Sequence, residues 1–336
     1  MIMTRSPLVT IFIQVYNTRP YLAACLESVL ALEGDYPLEI IIIDDASPDR
    51  SFEIVKNHTD PRINLIIHGQ NQGATRTANE GYSLAQGQFV ARLDSDDCYR
   101  PDFLTKTLPV LQACPDVGLV YGDIAHMDAQ GNITFEGGGV KQLRPQTRSR
   151  KIQNPTQELE AEIGDEFFSL LKRNYVPAPA TLVRQEALQQ VLPIPSELYW
   201  LDWYVSTGIA ENWKFAYVDT VCADYRLHPL NMHSTMIKDR QGEKTTFLVL
   251  DLLFNDSNRK LEKQENRAQV YSENYLQYAE NYFGYGMYQE ARCCYRNSFG
   301  FDPSVISRPG ILRRYFATFL SSRIYNDLKK LYKRWF

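Results

Sequence analysis

No stretch of the 336-residue sequence approaches the roughly 18 consecutive apolar residues needed to cross a bilayer, and the run Phe247–Phe254 is interrupted by Asp251. The chain is therefore not expected to span a membrane. A secretory leader is not expected either. Only Arg5 precedes the apolar run Leu8–Val15, and polar Asn17-Thr18-Arg19 follows at once, which is the pattern of a buried strand. The six cysteines (Cys25, Cys98, Cys114, Cys222, Cys293, Cys294) show neither CxxC spacing nor a dense framework. Reduced thiols in a cytoplasmic protein are the simplest expectation. Glycine is missing from Gln14–Pro20, where a nicotinamide-dependent dehydrogenase needs a glycine-rich turn after its first strand. Net positive charge is missing too: a formal charge of -4 offers no general attraction for nucleic acid.

What the sequence does have is acid in particular places. Asp94-Ser95-Asp96-Asp97 puts three carboxylates in four residues, directly after the apolar run Phe89–Leu93. A strand ending in such a cluster gathers like charges at a sheet edge, which is unfavourable unless a cation or a ring of donors compensates. Hard divalent cations prefer oxygen ligands and often share their shell with substrate phosphates. For the DxDD motif alone, a polar turn is the competing explanation, since Asp and Ser favour turns and helix caps. A second pair, Asp44-Asp45, follows Ile40–Ile43. Two acid pairs at corresponding strand ends suggest a shared cleft.

The first hundred residues alternate short apolar runs with helical patterns. Val9–Val15, Glu39–Ile43, Ile63–Ile67 and Phe89–Leu93 read as strands, Tyr21–Leu32 and Ala74–Ala85 as helices. This alternation predicts a doubly wound α/β sheet with ligands beyond the carboxyl ends of its strands. Further on, Pro101–Leu111 reads as a helix, Val117–Tyr121 as a strand, and residues 122–156 as a hairpin and mobile loop over the cleft. Glu158–Leu171 reads as helical, Ala180–Arg184 as extended and Asp202–Glu211 as helical.

Four blocks together, Val15-Tyr16-Asn17, Ile43-Asp44-Asp45-Ala46-Ser47-Pro48-Asp49, Asn71-x-Gly73-x-x-Arg76-x-x-Asn79 and Asp94-Ser95-Asp96-Asp97, closely resemble the family-2 glycosyltransferases over about residues 7–235. The resemblance implies a GT-A fold, a doubly wound mixed sheet. It also implies transfer from a nucleotide-diphosphate sugar, UDP-linked by preference, to a hydroxyl on a glycan or lipid-linked glycan, mostly with inversion. Cell-surface polysaccharide or glycan synthesis is the setting it suggests. By that resemblance Tyr16 lies against the nucleobase, Asp45 accepts from a base N–H and Asp44 fixes the turn. Arg76 approaches the diphosphate, and Asp94 holds the ribose or assists the metal. Asp96 coordinates Mn²⁺ or Mg²⁺. Asn71, Gly73 and Asn79 shape the loop and helix entry. Leu198-Tyr199-Trp200-Leu201-Asp202-Trp203 falls where the family carries a pair of acids at a helix start. Leucine replaces the first acid, and Asp202 matches the general base. Trp200 and Trp203 flank it, with core packing the default for either. Tyr225-Arg226-Leu227-His228-Pro229 resembles the closing block, in which a His reaches the metal or the diphosphate; His228 is the candidate metal ligand, ahead of His233. Gln14 departs from the family, where proline is common. A processive membrane synthase would need a Gln-x-x-Arg-Trp block, and Arg334-Trp335 has Leu331 in place of the Gln. A non-catalytic binding or scaffold descendant is the alternative of a different class, and retention of Asp45, Asp94, Asp96 and Asp202 argues against it.

Residues 1–235 are expected to form the transferase domain and 236–336 an all-helical extension. Within the latter, Tyr282, Gly286, Tyr288, Ala291, Tyr295 and Asp302-Pro303 resemble one tetratricopeptide unit. From Arg308 onward eight basic residues face one acid, Asp327, so the tail carries +7 and residues 1–307 carry -11. Interleaved with Leu312, Phe316, Phe319 and further apolar residues, the 308–336 segment suits either peripheral contact with the inner face of a membrane or packing against the domain.

Overall fold

The computed structural model describes residues 6–153, 158–199, 201–229, 239–256 and 258–320. β1 (Val9–Val15), β2 (Leu38–Asp44) and β4 (Phe89–Asp94) are buried along most of their length, and β3 (Ile63–Ile67) forms a more exposed edge. Near-continuous Val, Ile, Leu and Phe is what a parallel strand covered on both faces requires. The crossovers are α1 (Arg19–Leu30), α2 (Phe52–Lys56) and α3 (Ala74–Leu84). β1 pairs in parallel with both β2 and β4, and β2 with β3. α1 turns Leu22, Cys25, Leu26 and Val29 into the core, against Ile11, Ile13, Ile40 and Ile42. α3 lies so close to β1 that a Cβ on Gly81 would stand 2.4 Å from the Phe12 ring.

The second half of the sheet is built from β5 (Cys98–Tyr99), β6 (Val117–Met127), β7 (Ile133–Phe135), β8 (Arg148–Gln153), β9 (Glu158–Gly164), β10 (Thr181–Arg184) and β11 (Lys214–Arg226). The helices α4 (Phe103–Ala113), α5 (Gly139–Leu143), α6 (Phe167–Lys172), α7 (Gln185–Gln189) and α8 (Leu201–Ala210) connect them. The order is β3-β2-β1-β4-β10-β6-β11-β9-β8, with β5 added to β11 and β7 to β6, so the 11-stranded sheet is mixed. β10 runs antiparallel to β4 and β6, whereas β11 is parallel to β6. Register decides where the acids go. Gln14 of β1 stands opposite Ile43 on one side and Asp94 on the other, and Val15 stands opposite Asp44. Both acidic strand ends therefore flank the exit of β1 at one sheet edge, about 10 Å apart across two strand spacings.

Two expectations are corrected. Glu158–Leu171 is not one helix but strand β9 followed by α6. Leu159 and Ala161 are buried and Glu158 and Glu160 exposed, a period of two rather than 3.6. Residues 122–156 hold more regular structure than a hairpin and mobile loop. β6 continues to Met127, a turn closed by the Asp128 carboxylate leads to β7, and α5 and β8 follow. Buried Arg144 anchors this segment: its Nε donates to Tyr121 Oη (3.0 Å) and its Nη1 to Glu162 (2.6 Å). Tyr121 and Tyr175 both donate to Glu166.

The chain folds as two units, residues 1–170 with 174–231, and residues 171–173 with 232–336. Within the second, Gln241–Asn255, Lys260–Gly284 and Tyr288–Phe301 are helices. Tyr282, Ala291 and Tyr295 meet in its core with Leu276, Ala279, Cys294, Val305 and Ile311. Gly286 makes the turn between the last two helices at φ 75°. A seven-residue helix, Ile311–Ala317, leaves Leu312 and Phe316 exposed, and Phe319 beyond it is exposed too. Residues 321–336 of the basic tail lie outside the described residues. Among the described residues no helix is long and apolar enough to cross a membrane.

Candidate active site

The site lies within the first unit, where β4 runs out. Asp94 is the last residue of the strand, and the chain then turns, with the Asp97 N–H donating to the Asp94 carbonyl at 3.0 Å. Ser95 Oγ lies 2.7 Å from Thr18 Oγ1 at the start of α1, which pins the turn. The four-residue span points its carboxylates to different partners. Asp94 Oδ1 accepts from Arg92 Nη2 at 2.7 Å. Asp96 Oδ2 lies 2.8 Å from His228 Nε2. Asp97 Oδ1 accepts from the Arg226 N–H at 2.8 Å, while its Oδ2 has no hydrogen-bond partner among the described residues.

β11 delivers the other side of the cluster. Arg226 Nε donates to the Asp96 carbonyl at 2.8 Å, and its guanidinium lies over the Tyr21 ring. Two residues on, the His228 imidazole packs on the same ring, 4.8 Å between centroids. α8 supplies Asp202 in its first turn, where the helix dipole favours an anion. Asp202 Oδ1 stands 3.1 Å from Arg92 Nη1. The segment before α8 is held by α3: Thr75 donates to the Leu198 carbonyl, and Asn79 exchanges two hydrogen bonds with Ile194, all at 2.8 Å. α8 and β11, each more than a hundred residues further along the chain, thus converge on the Asp94–Asp97 turn.

The electrostatics are lopsided. Burial, then the neighbouring Asp94, pushes the Asp96 carboxyl up, and His228 only partly offsets them. Asp97 is pushed up further by burial, Asp96 and Asp94, against Arg226. Asp202 is raised by burial; Arg92 pulls it back and Asp94 raises it again. Four carboxylates (Asp94, Asp96, Asp97, Asp202) face two guanidiniums, Arg92 and Arg226. If all four ionise they outnumber these guanidiniums, and a divalent cation would relieve the excess negative charge. Among the described residues no three His, Cys, Asp or Glu side chains converge on a single point. Asp96 and His228 do meet, and one oxygen with one nitrogen suits an ion that fills the rest of its shell with water and phosphate. The residues present therefore fit a divalent metal.

Asp45 departs from its expected part. It is 2% exposed, and its carboxylate is closed by internal donors. Oδ1 accepts from the Gln72 N–H (2.8 Å) and faces His68 Nδ1 (2.8 Å), and Oδ2 accepts from the Gly73 N–H (2.9 Å). His68 Nε2 faces Glu80 at 2.9 Å, so both ring nitrogens point at carboxylates, the arrangement of an imidazolium. Burial would raise Asp45, but these hydrogen bonds bring it below the ordinary carboxylate range. Burial would lower His68, but Asp45 and Glu80 raise it on balance. Asp45 is thus a latch for the 68–73 loop, not an open acceptor for a base N–H. Asp44 holds the adjoining turn by accepting from the Ser47 N–H at 2.7 Å. Tyr16, at the end of β1, is 49% exposed, and Arg76 is exposed on α3. Trp203 is buried and donates to the Leu170 carbonyl, a packing part. Trp200 and His233 lie outside the described residues. The residues missed in the sequence are Arg92, Arg226 and His68. An arginine inside the apolar run Phe89–Leu93 was the one available signal, because a buried guanidinium must have carboxylates beside it.

A mixed sheet with a parallel first half, and acids and a His gathered at the edge of β4, defines a GT-A glycosyltransferase architecture. Residues 10–176 match the family model described as glycosyl transferase family 2. That segment, just under half of the chain, is where the likeness to the family lies. It is 27% identical over 229 residues to the uncharacterized glycosyltransferase alr2836 of Nostoc sp., covering 67% of this chain and 66% of that one. The chain thus matches less than two thirds of that relative's length. Among solved structures, S. aureus TarS 1-349 in complex with UDP-GlcNAc superposes with a TM-score of 0.65 at 16% identity, over 97% of this chain and 91% of that one. The mannosyltransferase PcManGT of Pyrobaculum calidifontis, in complex with GDP-Man and Mn²⁺, gives 0.58 at 17%, over 98% and 88%. At these identities the two structures bear on the fold alone.

Proposed function

We propose that the protein transfers a sugar from a nucleotide-diphosphate sugar to a hydroxyl of a glycan or lipid-linked glycan, with inversion and with Mn²⁺ or Mg²⁺. The observation that carries the reading is the convergence of Asp94 and Asp96 from the β4 turn, His228 beyond β11 and Asp202 from α8. Asp202 takes the acceptor proton as the hydroxyl oxygen attacks the anomeric carbon from the face opposite the diphosphate. The bond from that carbon to the diphosphate oxygen breaks, and its electron pair leaves with the nucleotide. Asp96 and His228 would hold the metal, which when bound neutralises charge on the diphosphate. Asp94 holds the ribose side, Tyr16 offers a flat face to the base, and Arg76 approaches the diphosphate. UDP-sugars are the first donors to test: TarS, with the higher TM-score of the two structures, holds UDP-GlcNAc, and PcManGT holds GDP-Man. The Mn²⁺ in the latter supports the same ion here.

The deciding experiment is a panel of UDP- and GDP-sugars with the full chain, with and without Mn²⁺, read as transfer or hydrolysis. Metal-stimulated turnover of at least one donor is expected. Absence of both across the panel would return the protein to the non-catalytic alternative. Residues 1–235 are proposed to act as the transferase domain and 236–336 as a helical extension. Residues 308–336 are proposed to touch an anionic membrane surface. Flotation with anionic liposomes should fall when that segment is removed, and unchanged flotation would refute the contact.

A further inference from the structure

Arg92 lies between two of the acids in the proposed reaction, Asp94 and Asp202. It stands in the interior of β4 between Ala91 and Leu93, both buried, and is itself only 8% exposed. A strand enclosed on both faces would be better filled by an aliphatic side chain, and a guanidinium survives there only with carboxylates against it. Two are present, and they belong to different parts of the fold. Nη2 donates to Asp94 Oδ1 at 2.7 Å, on the donor side. Nη1 is 3.1 Å from Asp202 Oδ1, on the acceptor side. The second contact is an ion pair outside hydrogen-bond geometry, since neither Nη1 nor Nε has a hydrogen-bond acceptor among the described residues. The guanidinium therefore has donors in reserve. They border a small cavity lined by Tyr82, Thr181, Asp202, Ser206 and aliphatic side chains, so the head group has room to shift between its two carboxylates.

We propose that Arg92 is a positioning residue that bridges the donor-side carboxylate Asp94 and the acceptor-side carboxylate Asp202, aiming the latter and keeping it charged. The inference rests on the reading of Asp202 as the base. The titratable groups acting on Asp202 are Arg92 and Asp94 from β4, Tyr82 from α3 and Tyr225 from β11. Arg92 is the cation in that set. Without it Asp202, whose side chain is 37% exposed, keeps its partial burial and the like charge of Asp94, and both favour the protonated form, which cannot accept a proton. Because one guanidinium serves both acids, engaging Asp94 with a donor changes the hold on Asp202, linking donor binding to readiness of the base.

The test uses the full chain with Arg92→Gln and Arg92→Lys. Arg92→Gln is expected to lower kcat about 10²-fold while the donor KM changes little, the signature of a misplaced base rather than a lost binding contact. The acid limb of the kcat–pH profile should move to higher pH in Arg92→Gln and return toward its wild-type position in Arg92→Lys, which restores charge without the fork. The Asp202 carboxyl titration, followed by ¹³C NMR and assigned with Asp202→Asn, should move the same way. Equal kcat losses in both variants with an unmoved acid limb and an unmoved carboxyl titration would make Arg92 merely structural and overturn the proposal. So would unchanged kcat in Arg92→Gln. The carboxyl titration needs no turnover: a wild type inactive on every donor defeats the transferase reading, while the Arg92–Asp202 link is still measured.

Discussion

β2 and β4 flank the same strand and end in acids at the same sheet edge, yet the two ends are built in opposite ways. At the end of β2, Asp45 is surrounded by donors from its own chain: two backbone N–H groups and a His held in turn by Glu80. At the end of β4, burial first, and then the like charge of neighbouring carboxylates, drives Asp96 and Asp97 toward protonation. The first acid is compensated from within the fold and stabilises it. The second group is under-compensated from within and favours a cation that arrives from outside. Acidic residues at a strand end are thus not one kind of signal, and what separates the two is the supply of internal donors.

The sharpest way to test the functional half of that contrast is Asp202→Asn. It should leave nucleotide-sugar binding in place and lower turnover by roughly 10²–10⁴-fold, the usual contribution of a general base; near-normal rates would take Asp202 out of the chemistry. Asp45→Ala addresses the structural half. It strands a buried His and two N–H groups and should cost about 3 kcal/mol in chemical denaturation, as loss of one partner of a buried pair does. Asp96→Ala should instead leave stability unchanged or slightly raised, because it relieves like-charge crowding. Its metal-dependent donor affinity, read by calorimetry, should fall by roughly 10–100-fold, the scale seen even for supporting residues of a metal site. If Asp96→Ala unfolds the protein and Asp45→Ala does not, the contrast is the wrong way round.

The smallest effect is in pH. His68 is held above its ordinary value, so its stabilisation is complete below about 6.5 and is lost as pH rises through the raised folded value. Asp45 is held below its ordinary value, so its share is present above about 4 and is lost as pH falls through the lowered folded value. Stability from this latch should peak between the two. His68→Gln should flatten the alkaline decline in thermal unfolding curves, and a decline of the same slope in that variant would place its origin elsewhere.

β1 to β4 and their helices are legible in the sequence because each strand is a β-branched run bounded by turn residues. The Asp94–Asp97 cluster is legible because nothing but a site or a turn explains it. Asp45 was legible as a residue but not in its part: its partners His68, Gln72 and Gly73 come from a loop more than twenty residues on, and no local pattern announces that closure. Arg92 was hidden by its neighbours, since an apolar run reads as apolar even with a cation in it. The period-two burial of β9 was obscured by its glutamates, which suit an exposed helix face as well as an outer strand face. The pairing of His228 with Asp96 depends on a strand 13 residues long being in register across the sheet, information that is not local at all.

The Asp45 latch has one more consequence. Gly73, whose N–H it accepts, is the N-cap of α3, at φ 89°. The start of a helix is a natural seat for a phosphate, since its exposed N–H groups and dipole attract anions. Here the fold has seated an anion of its own on the two N–H groups just ahead of that helix, those of Gln72 and Gly73. On the proposed reading, an incoming pyrophosphate finds those two donors taken, and its hold depends on Arg76 and on the cation at the neighbouring strand end. Donor capture would then follow the availability of divalent ions in the cell, so that abundant sugar nucleotide in metal-poor surroundings would go unused.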